Sequence, residues 1–174
     1  MRDAKIVSRK FEIADAHTLA VAKEHGAYRS LEKIKVYSPL EMIQIIKDAN
    51  LRGKGGGGAG AGEKWALMPQ DSDKPSFLAV NCDESEPGTF KDRQIISKDP
   101  HLLIEGIILT CYMIKAKHAY IYIRGEYKQF QDILQTAIDE AYSAGLLNEC
   151  DITIHRGAGA YICGEKSALL ESME

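Results

Sequence analysis

Three short strand-like runs alternate with helical ones through the later part of the chain, and no other feature constrains the fold as strongly. SFLAVNC (76–82), HAYIYIR (118–124) and DITIHR (151–156) are short, rich in β-branched and aromatic residues, and bounded by turn residues. Between and after them lie DPHLLIEGIILTCYMIKA (99–116), EYKQFQDILQTAIDEAYSAG (126–145) and GEKSALLES (164–172), with apolar residues at helical spacing. This order predicts an α/β fold: a Rossmann-like parallel sheet joined by right-handed crossovers, with helices on both faces. Ligands of such sheets bind beyond the carboxyl ends of the strands. The segments at those ends are DESEPGTFKDR, GEY and GAGAYICGE, and two of them are rich in glycine and acids.

Two short helices are expected ahead of the sheet. DAHTLAVAKEH (15–25) starts at an Asp that suits an N-cap, and SPLEMIQIIKD (38–48) has Ser, Pro and Glu in capping-box positions. The division that follows is a helical preface over 1–50 and an α/β domain over 51–174. The closing GEKSALLESME reads as a helix still in progress, so the domain is expected to be truncated and the chain a fragment.

Between preface and sheet stands LRGKGGGGAGAGEKW (51–65), with seven glycines in fifteen residues. Glycine is the costliest residue to order, so the run is either a linker or a loop whose backbone must approach something. Ser and Pro are missing, and Arg52, Lys54 and Lys64 are interleaved, which favours an anion-binding loop with a short helix from near Gly62. Gly55, Gly57 and Gly60 fit G-x-G-x-x-G, yet what precedes them reads as a helix rather than the strand a dinucleotide fingerprint requires. A P-loop fails because Glu63 follows Gly62 and no Ser or Thr follows Lys64.

Composition excludes several classes. A net charge of −3 gives no general attraction to nucleic acid, and no apolar run approaches the length of a membrane span. Cys82, Cys111, Cys150 and Cys163 show no C-x-x-C spacing, and the histidines are not paired at ligand intervals. Free, partly buried thiols are expected, and no metal site or iron–sulfur cluster within these residues.

Two further stretches hold candidate site residues. Asn81, Asp83 and Glu84 follow the first strand, where carboxylates either line a cleft and accept from sugar hydroxyls and ring N–H groups, or sit in a solvated loop. In HRGAGAYICGEKSA, Gly157 and Gly159 mark a tight turn, and Gly164 precedes a helix whose N-terminus favours an anion. Tyr161 is placed to pack under an aromatic ring, although the stretch reads equally as a plain turn.

Taken in order, LRGKGGGGAGAGEKWALMP, NCDESEPGTFKDR with DPHLLIEG, AYIYIRGEY, and RGAGAYICGEKSALLES resemble the NADH-binding flavoprotein subunit of respiratory complex I. Diaphorase subunits of soluble hydrogenases and formate dehydrogenases share the pattern. The resemblance implies FMN in the α/β domain, with NADH stacked on it as the electron donor. By the same resemblance, Gly53, Gly55, Gly56 and Lys64 hold the FMN from the glycine loop. Asn81, Asp83 and Glu84 contact its ribityl and ring system, while Tyr161, Gly164 and Glu165 close the site. Glu86 meets the nicotinamide nucleotide, and no side-chain nucleophile or general base is required. It also implies a 4Fe-4S cluster in a later C-terminal part, and a 2Fe-2S thioredoxin-like subunit among the partners of a peripheral arm. The expected location is cytoplasmic, peripheral to the inner membrane through the complex.

Three positions depart from that pattern. Ala59 and Leu67 stand where the family usually carries aromatic residues, and Lys166 replaces the second acid of Gly-Glu-Glu. A lost stacking platform is worth roughly 1–3 kcal/mol by analogy with nucleic-acid bases. A cation near the adenosine ribose suits a 2′-phosphate where an acid reads a 2′-hydroxyl. The donor is therefore open among NADH, NADPH and a protein such as a ferredoxin or flavodoxin. A non-catalytic assembly module of the same fold is the alternative from another class.

Overall fold

The computed structural model describes residues 5–174. Its sheet has three parallel strands in the order β1 (Ser76–Cys82), β2 (Ala116–Ile123) and β3 (Asp151–Arg156). β1 and β3 match their sequence-based limits, and β2 begins two residues before the expected 118.

The register aligns Leu78 with Ala119 and Ile152, and Val80 with Ile121 and Ile154. Alternation puts these on one face together with Cys82 and Ile123, and all of them belong to the main apolar core. That core is completed by α5 (Pro100–Ile114) and α6 (Lys128–Ser143), which contribute Ile104, Ile107, Leu134 and Ile138. Burying each such side chain is worth roughly 1.5–3 kcal/mol. Two right-handed crossovers in the order β1-β2-β3 put both helices on the same face, and they do pack on each other.

The opposite face carries Phe77, His118, Tyr120, Tyr122 and His155. Tyr120 stacks on His118, and Tyr122 on His155. α7 (Lys166–Met173) reaches this face through a 2.9 Å hydrogen bond between Ser172 Oγ and Tyr122 Oη. Helices therefore lie on both faces, although Phe77 stays exposed.

α1 (Leu19–Glu24), a 3-10 helix over Arg29–Lys35, α2 (Pro39–Asp48) and α3 (Ala61–Ala66) pack outside α5 and α6. The Ser38–Glu41 capping box of α2 forms as expected, with Pro39 in the first turn. α1 is shorter than expected because Asp15 takes a left-handed φ of 55° and Thr18 becomes the N-cap. Polar contacts dock this preface. Lys10 and Asp99 form a buried ion pair at 2.8 Å. Tyr28 Oη meets His101 Nδ1 at 2.7 Å, and Ser30 donates to Glu105. Glu140 accepts from the Leu19 N–H and faces His101 Nε2. Burial holds the His101 imidazole below its ordinary pKa.

Two other elements differ from expectation. α4 (Lys91–Lys98) forms inside what reads as a loop. The last helix starts at Lys166, after a separate 3-10 turn over Tyr161–Gly164.

Candidate cofactor site at the strand ends

The loops following the three strands are sewn into one block. Asn81 Oδ1 accepts from the Asp83 N–H at 2.9 Å, and its Nδ2 donates to the Gly164 carbonyl at 2.8 Å. Tyr161 donates to Glu86 at 2.6 Å, a second tie between the loops after β1 and β3. Glu84 is buried, and its carboxylate accepts from the Asp92 and Arg93 N–H groups and the Tyr127 hydroxyl. It thus caps the N-terminus of α4 from well upstream of Lys91, with the favourable sign for a helix dipole.

Arg124, at the end of β2, donates to the Glu84 carbonyl at 2.8 Å and grips Glu126 through Nε and Nη2. Arg156 Nε donates to the Gly125 carbonyl at 2.9 Å. The backbones press together here. A Cβ at Gly125 would lie 2.6 Å from the Gly157 carbonyl oxygen, and one at Gly157 would lie 2.6 Å from Tyr122 Oη. Glycine is required at both positions. Arg124 and Tyr127 are site positions that the sequence motifs did not single out. Their signal was the Arg ending an apolar strand in IYIRGEY.

Within this block one buried carboxylate oxygen stays unsatisfied. Asp83 is buried, its Oδ2 has no hydrogen-bond partner of good geometry, and the group beside its carboxylate is the buried Ser85 hydroxyl, also unpartnered. Gly164 lies close by, since a Cβ there would come within 3.7 Å of that oxygen. Burial pushes the Asp83 carboxyl above the usual carboxylate range.

The glycine loop is built differently. An antiparallel bridge between Arg52 and Gly60 closes its base, reinforced by Gly53 N–H to Ala59 O at 2.9 Å and Ala61 N–H to Leu51 O at 2.8 Å. Arg52 Nη1 turns back to the Gly58 carbonyl at 3.2 Å, so this cation stabilises the loop rather than pointing away from it. Gly62 is required by packing, because a Cβ there would lie 2.8 Å from the Lys47 backbone nitrogen. Gly56 and Gly58 have positive φ. Gly55 and Gly57 have neither constraint, and a Cβ on either would meet nothing within 4 Å. Lys54, Ala59 and Lys64 are exposed beside them. Among the described residues, no hydrogen bond or ion pair joins this loop to the strand-end block.

The N-terminus of α7 is already occupied from within. Glu165 is the N-cap, and its carboxylate accepts from the Ser167 and Ala168 N–H groups. The anion that this helix end favours is its own side chain. Lys166 follows at the first helical position and is exposed. Among the described residues, no group of three or more His, Cys, Asp and Glu is arranged to hold a metal ion. No described helix is long and apolar enough to cross a membrane.

The chain is similar to known proteins. Residues 46–174 match the model of the Nuo51 FMN-binding domain. The chain is 45% identical over 178 residues to an NADH-quinone oxidoreductase subunit of Rhizobium meliloti (strain 1021), covering 97% of this chain and 42% of that protein. It is 44% identical over 179 residues to the corresponding NADH-quinone oxidoreductase subunit of Streptomyces coelicolor, covering 98% of this chain and 40% of that protein. The chain thus spans about two fifths of the length of these relatives. A crystal structure of an NAD+-reducing NiFe-hydrogenase in the H2-reduced state superposes with TM-score 0.77 at 39% identity, over 84% of this chain and 26% of that one.

Proposed function

Because the chain belongs to the Nuo51 FMN-binding domain family, we propose that it holds FMN at the strand ends as part of an electron-input flavoprotein subunit of an NADH:quinone oxidoreductase. The observation that carries this reading is the buried, unpartnered Oδ2 of Asp83, in a block whose loops are otherwise tied to one another. Such an oxygen needs a donor, which a ligand at the strand ends or the neighbouring Ser85 hydroxyl can supply. The glycine loop fits the same ligand, since Gly55 and Gly57 leave backbone open where the fold itself needs no glycine.

Each residue then has a role. Lys64 and the N–H groups around Gly53, Gly55 and Gly56 neutralise the phosphate. Asp83 accepts from a ribityl hydroxyl or a ring N–H, and Asn81 holds Asp83 and Gly164 in place for it. Glu84 serves by fixing the β1 loop to α4 and Tyr127. Tyr161, tied to Glu86, lines the side from which a nicotinamide nucleotide approaches. Gly164 and Glu165 close the end beside α7. Bound FMN supplies exchange between two-electron and one-electron carriers.

Electrons pass onward through clusters outside these residues: a 4Fe-4S centre in a later part of the whole protein and a 2Fe-2S thioredoxin-like partner. The whole protein is peripheral to the inner membrane on the cytoplasmic side. The structural likeness to the NAD+-reducing hydrogenase supports a second reading, a diaphorase subunit of a soluble enzyme.

The donor turns on Ala59, Leu67 and Lys166. A charge-assisted hydrogen bond from Lys166 to a 2′-phosphate is worth ~1.5–3 kcal/mol, enough to erase an ordinary preference for NADH. In the whole protein, NADPH should reduce an artificial acceptor nearly as well as NADH, and Lys166→Glu should restore NADH preference. Reduced ferredoxin as the only efficient donor would replace both nucleotides. For the cofactor itself, titration of FMN fluorescence should saturate tightly in the whole protein and weakly in this chain, and Asp83→Asn should weaken binding in both. Unsaturable behaviour in both proteins would reject the site.

A further inference from the structure

At the opposite end of the sheet from the cofactor loops, Cys111 of α5 and Cys150, just before β3, are both buried with their sulfur atoms 2.7 Å apart. They come from elements 39 residues apart in the chain, so the fold itself brings them together. Neither is part of the reading given above. Both residues line a cavity of about 580 Å3 whose other walls include Ile34, Pro39, Ile108 and Tyr112. Lys115, Lys117 and Glu149 also line it, and Lys117 pairs with Glu149 at 3.0 Å. A small apolar molecule entering this cavity meets the two thiols among mainly apolar walls.

We propose that Cys111 and Cys150 form a reversible dithiol–disulfide site that reduces organic hydroperoxides entering this cavity. Cys150 is the attacking sulfur: its contact with Cys111, and after that the Lys117 ammonium that lines the same cavity, hold its thiol below the ordinary range. The Cys150 thiolate attacks the terminal peroxide oxygen, the O–O bond breaks, and the organic part leaves as an alcohol after taking a proton. The resulting sulfenic acid is attacked by Cys111, the S–S bond forms, and water leaves with the remaining thiol proton. Two thiols are oxidised by two electrons and one hydroperoxide is reduced to alcohol and water. A dithiol reductant returns the pair to thiols by exchange. The contrast within the chain is Cys82, which is buried without a thiol partner and pushed up to about 12, away from reactivity.

The test treats the reduced, purified chain with matched doses of cumene hydroperoxide or hydrogen peroxide. Remaining thiols are then counted under denaturing conditions, and unreduced peptides are mapped by mass spectrometry. Of the four thiols, two should disappear, in one linked peptide pair containing Cys111 and Cys150, and dithiothreitol should restore them. Cumene hydroperoxide should act faster, because the cavity is mainly apolar. Cys150→Ser should leave Cys111 unoxidised at the same dose. Any of three results overturns the proposal: no Cys111–Cys150 peptide at a dose that oxidises Cys163, linkage through Cys163 instead, or faster loss with hydrogen peroxide. Folding of the variant does not decide the matter, since the linked peptide is read in the unaltered chain.

Discussion

The strand-end block and the glycine loop face the same proposed ligand, but they are held in opposite ways. In the block, Asn81, Glu84, Glu86, Arg124 and Tyr161 are tied to other loops, and Gly125 and Gly157 are glycine because neighbouring atoms exclude a Cβ. In the loop, the base is bridged and Arg52 holds the Gly58 carbonyl, while a Cβ at Gly55 or Gly57 would meet nothing within 4 Å. The block is preformed, so its residues contribute to stability and, on the proposed reading, to binding as well. The fold does not exclude a Cβ at Gly55 or Gly57, so on the proposed reading these glycines answer to a ligand. Mutations should therefore separate the two regions by what they change.

The largest effect should come from Glu84→Ala. It leaves the Asp92 and Arg93 N–H groups and the Tyr127 hydroxyl without their acceptor, and each buried unmet group costs about 1–3 kcal/mol. Some of these groups regain water, so a net loss of about 2–4 kcal/mol in urea unfolding is expected. A loss below ~0.5 kcal/mol would mean that the block is not sewn as described.

Gly125→Ala comes next. The new Cβ meets backbone rather than a flexible side chain, so one of the two loops must shift, at about 1–3 kcal/mol. FMN affinity should fall with it, because the same shift displaces the turn after β3. Unchanged stability would show that the loops are not in contact.

Asp83→Asn should act on binding and on pH dependence. Losing a charged acceptor costs about 1.5–3 kcal/mol, or roughly 10- to 100-fold in affinity. Burial raises the Asp83 carboxyl above its unfolded value, so the folded state holds this proton to higher pH. Its contribution to stability is full below the unfolded pKa and is lost as pH rises through the folded one. Asp83→Asn should remove that decline, measured by urea unfolding across the acidic range. FMN binding runs the other way, weakening on acidification through the raised value, and Asp83→Asn should flatten that too. Parallel pH profiles in both proteins would remove Asp83 from the site.

What the sequence disclosed followed how local each signal is. β1 and β3 were legible to the residue because short apolar runs end at turn residues, and α2 because Ser38, Pro39 and Glu41 lie within one helical turn. α4 was not legible, because its cap is Glu84, reaching back from before the helix across the Pro87–Gly88 turn. The early start of β2 was hidden because Ala116 continues the helical pattern of α5 and Lys117 is a polar residue ahead of the apolar run. For the proposed site, the motifs named Asn81, Asp83, Glu84, Tyr161 and Glu165, and the structure has these residues around the strand ends. They did not reveal that Glu84 and Glu165 cap helices, a property of three-dimensional proximity. Nor did they reveal that an oxygen of Asp83 is buried without a partner.

The most direct test of the central contrast is Gly55→Ala, read by urea unfolding and FMN fluorescence titration on the same preparation. The φ of Gly55 is not positive and a Cβ there meets nothing within 4 Å, so stability should change by less than ~0.5 kcal/mol. FMN affinity should nonetheless fall by about tenfold, a loss of ~1.4 kcal/mol in binding alone, because the added methyl lies where the phosphate must approach the backbone. Unaltered affinity with unaltered stability would contradict the account, leaving the glycine tip without a ligand to explain it.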